Sequence, residues 1–430
     1  MTISVLACAV FVNFLLWFAY TGGKVARITP LVFCLHLYLG IMVLPGLIAL
    51  ALFQPDVLVI KKQVAQKSIH MVLALSIIIA IISVFWVRFE RHILKNIRFN
   101  SVKHIPFSRV QLFFLLAVLG LFAVISLRGI GNIPLFYVLA LDFEGAAIAK
   151  FNFMNGNLRR APETLNQMLK YLLPMLTFFI AYNFSQIRKP KITKIFWLIL
   201  ILSSGVVFVA IDGHKVAPFM IIIGVMLLSD IRKKRFARLK NLFVPVTLLL
   251  LLFYLFSSSI TLGDRNITNV FIERIFFSQT SGAIFIIDRF NPDLELIKHG
   301  FIGTSYLFSD LPEHAHSSIM KTVYGVSNTN VNMNSIFIGE AFSWGGMKGA
   351  YFSIVFISFY VPLVLFIFNR LSKRNAALYF PITAVFFIFY FPIIQGFNSF
   401  LYGRNLIFFL IMASIFSLSR SYSLRGRRVA

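Results

Sequence analysis

The chain has 430 residues, 59% of them hydrophobic and only 13% charged, with a mean hydropathy of +0.84; a soluble domain carries about 25% charged residues. The formal net charge is +26, but Lys and Arg come in short clusters between apolar runs, the pattern by which membrane proteins orient themselves and not that of a nucleic-acid surface. These figures exclude an ordinary soluble domain and a nucleic-acid partner, and predict a single integral membrane domain over residues 1–430, an all-α, polytopic transmembrane helical bundle.

Apolar runs lie near 3–20, 28–54, 69–87, 110–127, 166–184, 195–211, 214–229, 242–258, 348–369, 376–394 and 405–419, which predicts about 11 spans. The first run has no basic segment ahead of it, so it reads as a retained span and not as a cleaved signal. Pro45-Gly46 is placed to kink the long second run. The sixth and seventh runs are broken only by Asp212-Gly213-His214-Lys215, which suits a tight helical hairpin. Cys8 and Cys34 both fall inside apolar runs and read as buried thiols. No metal-ligand spacing is present, so neither a metal nor a cofactor is expected.

Charge sets the orientation. Alternate loops hold Lys24 and Arg27; the cluster from Arg88 to Arg109; Arg188 to Lys194; Arg232 to Lys240; Arg370, Lys373 and Arg374; and the tail from Arg420 to Arg428. Only Glu90 and Asp230 are acidic there. The positive-inside rule makes these loops cytoplasmic, with the C-terminus inside and, for eleven spans, the N-terminus outside. Residues 55–68 then lie outside despite Lys61, Lys62 and Lys67. A bacterial inner-membrane location is the one this reading implies.

The outer face then carries 128–165, the tip Asp212–Lys215, a large external loop at 259–347 and the turn Gly396–Asn405. The 259–347 loop holds eight of the 15 acidic residues: Asp264, Glu273, Asp288, Asp293, Glu295, Asp310, Glu313 and Glu340. Within it, Asn269–Phe290 reads as an interfacial helix, with Arg274, Ser278, Ser281 and Asp288 near one face. Asn291-Pro292 and Gly300 break structure. Gly325–Asn334 reads as a polar loop that re-enters the membrane at Ile336.

No GxxxxGK[ST] loop, GxSxG elbow or HExxH is present, and no acidic pair marks a cytoplasmic nucleotide-sugar site. A reaction here would draw its energy from an activated substrate. Five cations stand at outer membrane edges: Arg128, Lys215, Arg265, Arg289 and Arg404. Together they suit a diphosphate at the lipid surface, since Arg grips phosphate oxygens in pairs; singly, each also suits a snorkelling anchor at the headgroups. His314, in PEHAHSS with His316, fits a general base or a solvated loop. Glu340, in IGEAFSWGG, fits a cavity carboxylate or a plain acid at a helix start. Asp142 and Glu144 read as a solvated turn.

The span count, the dominant late outer loop, the LRGIGNIPLF segment after a span and the re-entering GEAFSWGGMKGAYF together make the chain resemble the O-antigen and capsule repeat-unit polymerases (Wzy-type). Arg289 and Gly300, with ten residues between them, match an Arg-to-Gly spacing of that family's outer loops. In 128–165, Arg159 and Arg160 lack the matching Gly, and Lys215 stands where the family has a mid-chain Arg. The resemblance implies an undecaprenyl-diphosphate-linked oligosaccharide as substrate, transfer of the growing chain onto a new repeat unit at the outer leaflet, and no nucleotide or metal. It implies that Arg128, Lys215, Arg265, Arg289 and Arg404 hold the diphosphate while His314 or Glu340 attends the attacking hydroxyl. It also implies the bilayer, a chain-length regulator and a flippase as partners. An O-antigen ligase and a lipid-linked oligosaccharide flippase are the rival readings; the absence of a visible repeat and the large outer loop speak against the flippase.

Overall fold

A computed structural model describes residues 30–35, 39, 43–44, 66–95, 117, 133–140, 142, 145, 148–149, 177, 191–210, 221, 280–301, 311–315, 318–319, 322, 336–385, 396–402, 406–407 and 410. Among these residues every regular element is helical and there is no strand. In chain order they are α1 (Pro30–Leu35), α2 (Gln66–Lys95), α3 (Pro134–Leu139), α4 (Lys191–Ala210), α5 (Ser281–Arg289), a 3-10 helix (Leu294–Gly300), α6 (Phe337–Val385) and α7 (Asn398–Leu401). Two compact bodies divide them. The first holds α1, α2, α5, the 3-10 helix, α6 as far as Ile367, and α7; the second holds α3, α4 and the rest of α6.

Two described helices are long and apolar enough to cross a membrane: Ser68–Ile93 within α2 and Phe337–Arg370 within α6. Both invert the pattern of a soluble helix. On α2 the buried face carries polar residues every seventh position, at Ser76, Ser83 and Glu90, while Ile78, Ile81, Phe85 and Phe89 are exposed. The Ser76 and Ser83 hydroxyls donate to the Val72 and Ile79 carbonyls at 2.8 Å, one turn back. A hydroxyl bonded this way is satisfied without water. On α6 the exposed stripe is Tyr351, Val355, Phe359, Leu363 and Phe366, and Ser353 is buried with its hydroxyl on the Ala350 carbonyl at 2.7 Å. A soluble helix buries its apolar stripe; polar-in, apolar-out helices suit a hydrocarbon surround.

Three expectations change. α2 continues eight residues past the apolar run that ends at 87, so Glu90 lies inside the helix, 2% exposed, and not in a cytoplasmic loop. Its Oε1 accepts the Leu31 N–H at 3.2 Å. That group sits in the first turn of α1, just after Pro30, where backbone donors have no helical acceptor. α6 continues through Arg370, Lys373 and Arg374, where a loop between two spans was predicted. The reason is composition: LSKRNAAL is charged but holds neither Gly nor Pro, and Leu, Lys, Arg and Ala all favour helix. The predicted interfacial helix over Asn269–Phe290 is interrupted at Thr280, a turn residue with φ −121° and ψ −14°, and α5 begins only at Ser281. Ser281 to Ile286 of α5 are all buried, and the helix packs on α2. Residues 269–279 lie outside the described residues.

Other boundaries agree. α4 covers the sixth run, with Ile192, Phe196 and Ile199 exposed. A side chain at Gly205 of α4 would meet Thr177. The Asp142 carboxylate accepts the Gly145 N–H at 2.8 Å at an exposed position; Glu144 lies outside the described residues. Cys34 is a buried thiol. The runs near 3–20 and 242–258, and the tip Asp212–Lys215, lie outside the described residues; the runs near 69–87 and 348–369 are described throughout and the others in part.

Candidate functional site

The site is built where α6 begins. α6 opens at Phe337, eleven residues before the predicted ninth span, so GEAFSWGGMKG is helix and not loop. The helix is locally broken. Gly346 has φ +57°, a left-handed conformation that costs any other residue about 1 kcal/mol or more. The Gly349 Cα packs against the Ala341 carbonyl, where a side chain would collide with backbone. The break frees the Ser343 carbonyl from the helical ladder, and it accepts the Asp293 N–H at 2.8 Å instead. Pro292 lies in van der Waals reach of Gly346. The glycines thus let the segment Asn291–Asp293 dock directly on the start of α6. Asp293 then starts the 3-10 helix, its carboxylate accepting the Glu295 N–H at 3.0 Å.

Glu340 stands in the first turn of α6, where the helix dipole favours a carboxylate. Its Oε2 accepts the Asn398 N–H at 2.7 Å. The carboxylate lies against Gly396, where any side chain would strike it, so Gly396 is there for lack of room. Asn398 is 1% exposed and uses every polar atom of its side chain. Its Nδ2 donates to the Leu296 carbonyl at 3.0 Å and the Ile297 carbonyl at 3.3 Å, and its Oδ1 accepts from Trp344 Nε1 at 3.1 Å. Trp344 is one turn on from Glu340 and on the same face of α6. Its ring packs on Phe397, with centroids 6.1 Å apart, and edge-on to Phe352. Tyr402 closes the group: its hydroxyl donates to the Ile297 carbonyl at 2.8 Å, and its ring meets Phe301 edge to face at 5.3 Å. Burial pushes the Tyr402 phenol above its ordinary range. One buried amide therefore joins the start of α6, the outer-loop 3-10 helix and the 396–402 turn.

Two histidines extend the group outward. The His299 and His314 rings stack with centroids 3.7 Å apart and planes inclined by 28°. His299 Nε2 is 2.7 Å from the Pro312 carbonyl. A carbonyl only accepts, so Nε2 carries the hydrogen. Lys298 pairs with Glu295 on the same turn.

Of the residues singled out from sequence, Glu340, His314 and Arg289 are described. Glu340 and His314 belong to one connected group, linked through Asn398, the 3-10 helix and His299. Glu340 stands at a helix start, and its carboxylate also joins this polar junction. Arg289 closes α5, its Nε 3.5 Å from Asp288 Oδ2 and its guanidinium 5.9 Å from the Phe285 ring centroid. Asp288 in turn accepts the Ser68 hydroxyl at 3.1 Å, tying α5 to the start of α2. Arg128, Lys215, Arg265 and Arg404 lie outside the described residues. Among the described residues no group of three or more His, Cys, Asp or Glu is placed to hold a metal ion.

Sequence reasoning passed over Asn398, Trp344, Tyr402 and His299. Asn398 carried a signal: it is an amide inside the apolar string FPIIQGFNSFLY, where a polar group has to find partners. His299 carried none, because its partner lies 15 positions away and no local pattern records such a pairing. In comparisons with protein-family models, curated proteins and solved structures, nothing matches this chain.

Proposed function

We propose that this chain is a polytopic bacterial inner-membrane glycosyltransferase that polymerises undecaprenyl-diphosphate-linked oligosaccharide repeat units into a surface polysaccharide. The bundle has about eleven spans with the C-terminus in the cytoplasm, and the reaction takes place at the outer leaflet. The observation that supports this most is the polar group at the head of an apolar helix, where Asn398 ties Glu340 and Trp344 to the turn that bears His299. A buried, fully bonded amide holds its neighbours in one arrangement, as a site that orients a sugar hydroxyl requires. A purely anchoring loop has no use for such rigidity.

In this reading the hydroxyl of a new repeat unit attacks the anomeric carbon of the growing chain. The new carbon–oxygen bond forms as the bond to the lipid diphosphate breaks, and the diphosphate leaves with the bonding pair. Arg289, with Arg128, Lys215, Arg265 and Arg404, neutralises the charge that develops on it. The hydroxyl proton passes to His314 or Glu340. Arg289 is exposed, with Asp288 and the Phe285 ring beside its head.

The test is deletion of the gene in its host, followed by electrophoresis of the surface polysaccharide and of lipid-linked material. The proposal predicts that the ladder collapses to a single repeat unit on its anchor. Long chains stranded on the carrier would make the chain a ligase, and single units trapped inside would make it a flippase. Arg289→Ala and Arg404→Ala, at unchanged protein level, should reproduce the collapse; a full ladder from both would remove the diphosphate role.

A further inference from the structure

We propose that His299 is a positioning residue for His314, holding that exposed ring where it can accept the proton of the attacking hydroxyl. The proposal rests on the polymerase reading for its catalytic part. Its structural part stands on the stacking alone.

The geometry supplies three facts. The rings lie face to face at 3.7 Å, so His314 has one face covered and cannot turn freely about its side-chain bonds. His299 is itself fixed, because its Nε2–H is spent on the Pro312 carbonyl at 2.7 Å, two residues before His314 in the same segment. The turn that carries His299 is held in place by Asn398, whose amide takes the Leu296 and Ile297 carbonyls, and by the Tyr402 hydroxyl on Ile297. The exposed imidazole of the outer loop is therefore positioned through a chain of fixed groups that ends at Glu340.

Charged groups surround the two rings: Glu295 and Lys298 share the His299 turn and pair with each other, Glu313 precedes His314, and Glu340 lies beyond Asn398. In the transfer, the hydroxyl proton leaves the acceptor oxygen for His314 as that oxygen's bond to the anomeric carbon forms, and the diphosphate departs with the bonding pair.

Nothing in the residue types alone demanded this partnership. The sequence marks His314 by the short HxH run, whereas His299 stands in LELIKHGF as a single histidine at a turn end.

The experiment uses the full-length chain in lipid vesicles, with wild type, His299→Ala, His299→Phe and His314→Ala compared by two readouts. Through-space magnetic resonance contacts between labelled histidine rings read the stack without reference to any reaction. Incorporation of a lipid-diphosphate-linked repeat unit into polymer reads the reaction. A ring-to-ring contact between His299 and His314 is expected in wild type, with at least a tenfold loss of polymer rate in His299→Ala and in His314→Ala, and recovery of most of the His299→Ala loss in His299→Phe, which keeps the stack. No ring contact in wild type overturns the pairing outright. A wild-type rate in His299→Ala, or a loss in His299→Phe as large as in His299→Ala, overturns the positioning role. No polymer from wild-type vesicles overturns the polymerase reading and the catalytic part with it, while the ring contact still decides the stack.

Discussion

Two carboxylates in the first body make the same bond for different ends. Glu90, near the end of α2, accepts the Leu31 N–H at the start of α1; Glu340, at the start of α6, accepts the Asn398 N–H at the start of α7. Each supplies a short helix with an acceptor for a donor that its own first turn cannot satisfy. The surroundings differ. Glu90 is 2% exposed, on a helix face otherwise made of Ile, Leu, Val, Ala, Trp and Ser, and it joins α2 to α1. Glu340 is half-buried and sits in a group that also holds Trp344, Asn398, the carbonyls of the 3-10 helix and Tyr402, with a histidine pair on the far side of that helix. A carboxylate on an apolar helix is thus not a site by itself. What distinguishes a site is the number of independent segments brought to it and its access to the outside.

That contrast predicts unequal consequences. Glu90→Ala should have the largest effect on stability: it strands the buried Leu31 N–H and opens a hole beside α1, costing about 2–3 kcal/mol. The readout is a lower unfolding temperature in lipid and a lower protein level, with polymer falling only in proportion to protein. Asn398→Ala should cost about 2 kcal/mol, since it removes three side-chain hydrogen bonds and leaves the Trp344 N–H without an acceptor. Its polymer loss should exceed its protein loss, and this is where the two regions separate. If Glu90→Ala and Asn398→Ala reduce polymer and protein in the same ratio, the distinction between clip and site fails.

Tyr402→Phe should show the smallest effect, about 1 kcal/mol, for one hydrogen bond to the Ile297 carbonyl. Its pH dependence has a definite sign. Burial favours the neutral phenol and raises its pKa, so the contribution is complete below the ordinary tyrosine pKa of about 10 and is lost only as pH rises beyond it. The difference between wild type and Tyr402→Phe should therefore stay flat from pH 6 to 9 in thermal unfolding. A difference that grows or vanishes across that range would assign the bond to some other titrating group.

Much of the helix class was legible, because apolar run length and charge clustering are local. The start of the α6 segment at Ile336 and the breaks at Asn291-Pro292 and Gly300 were read correctly for the same reason: Gly and Pro act on their own backbone. What escaped was set by distant partners. The Trp344–Asn398 bond spans 54 positions and the Tyr402–Ile297 bond 105, and no periodicity records such pairings. The predicted loop at 370–375 failed because charge was taken as a helix break, whereas only Gly, Pro or a lost backbone partner ends a helix. The docking of Asp293 on the Ser343 carbonyl, 50 positions apart, escaped as the other distant pairings did.

The central claim is that the group around Glu340 carries out polymerisation. Glu340→Gln tests it most directly, because glutamine keeps the size of the side chain and an oxygen for the Asn398 N–H while removing the charge. The surface polysaccharide of the complemented deletion strain should be run on a gel with the protein quantified in the same membranes. Single repeat units at wild-type protein level are the result predicted here. A full-length ladder at that level would contradict it and leave Glu340, like Glu90, a structural clip.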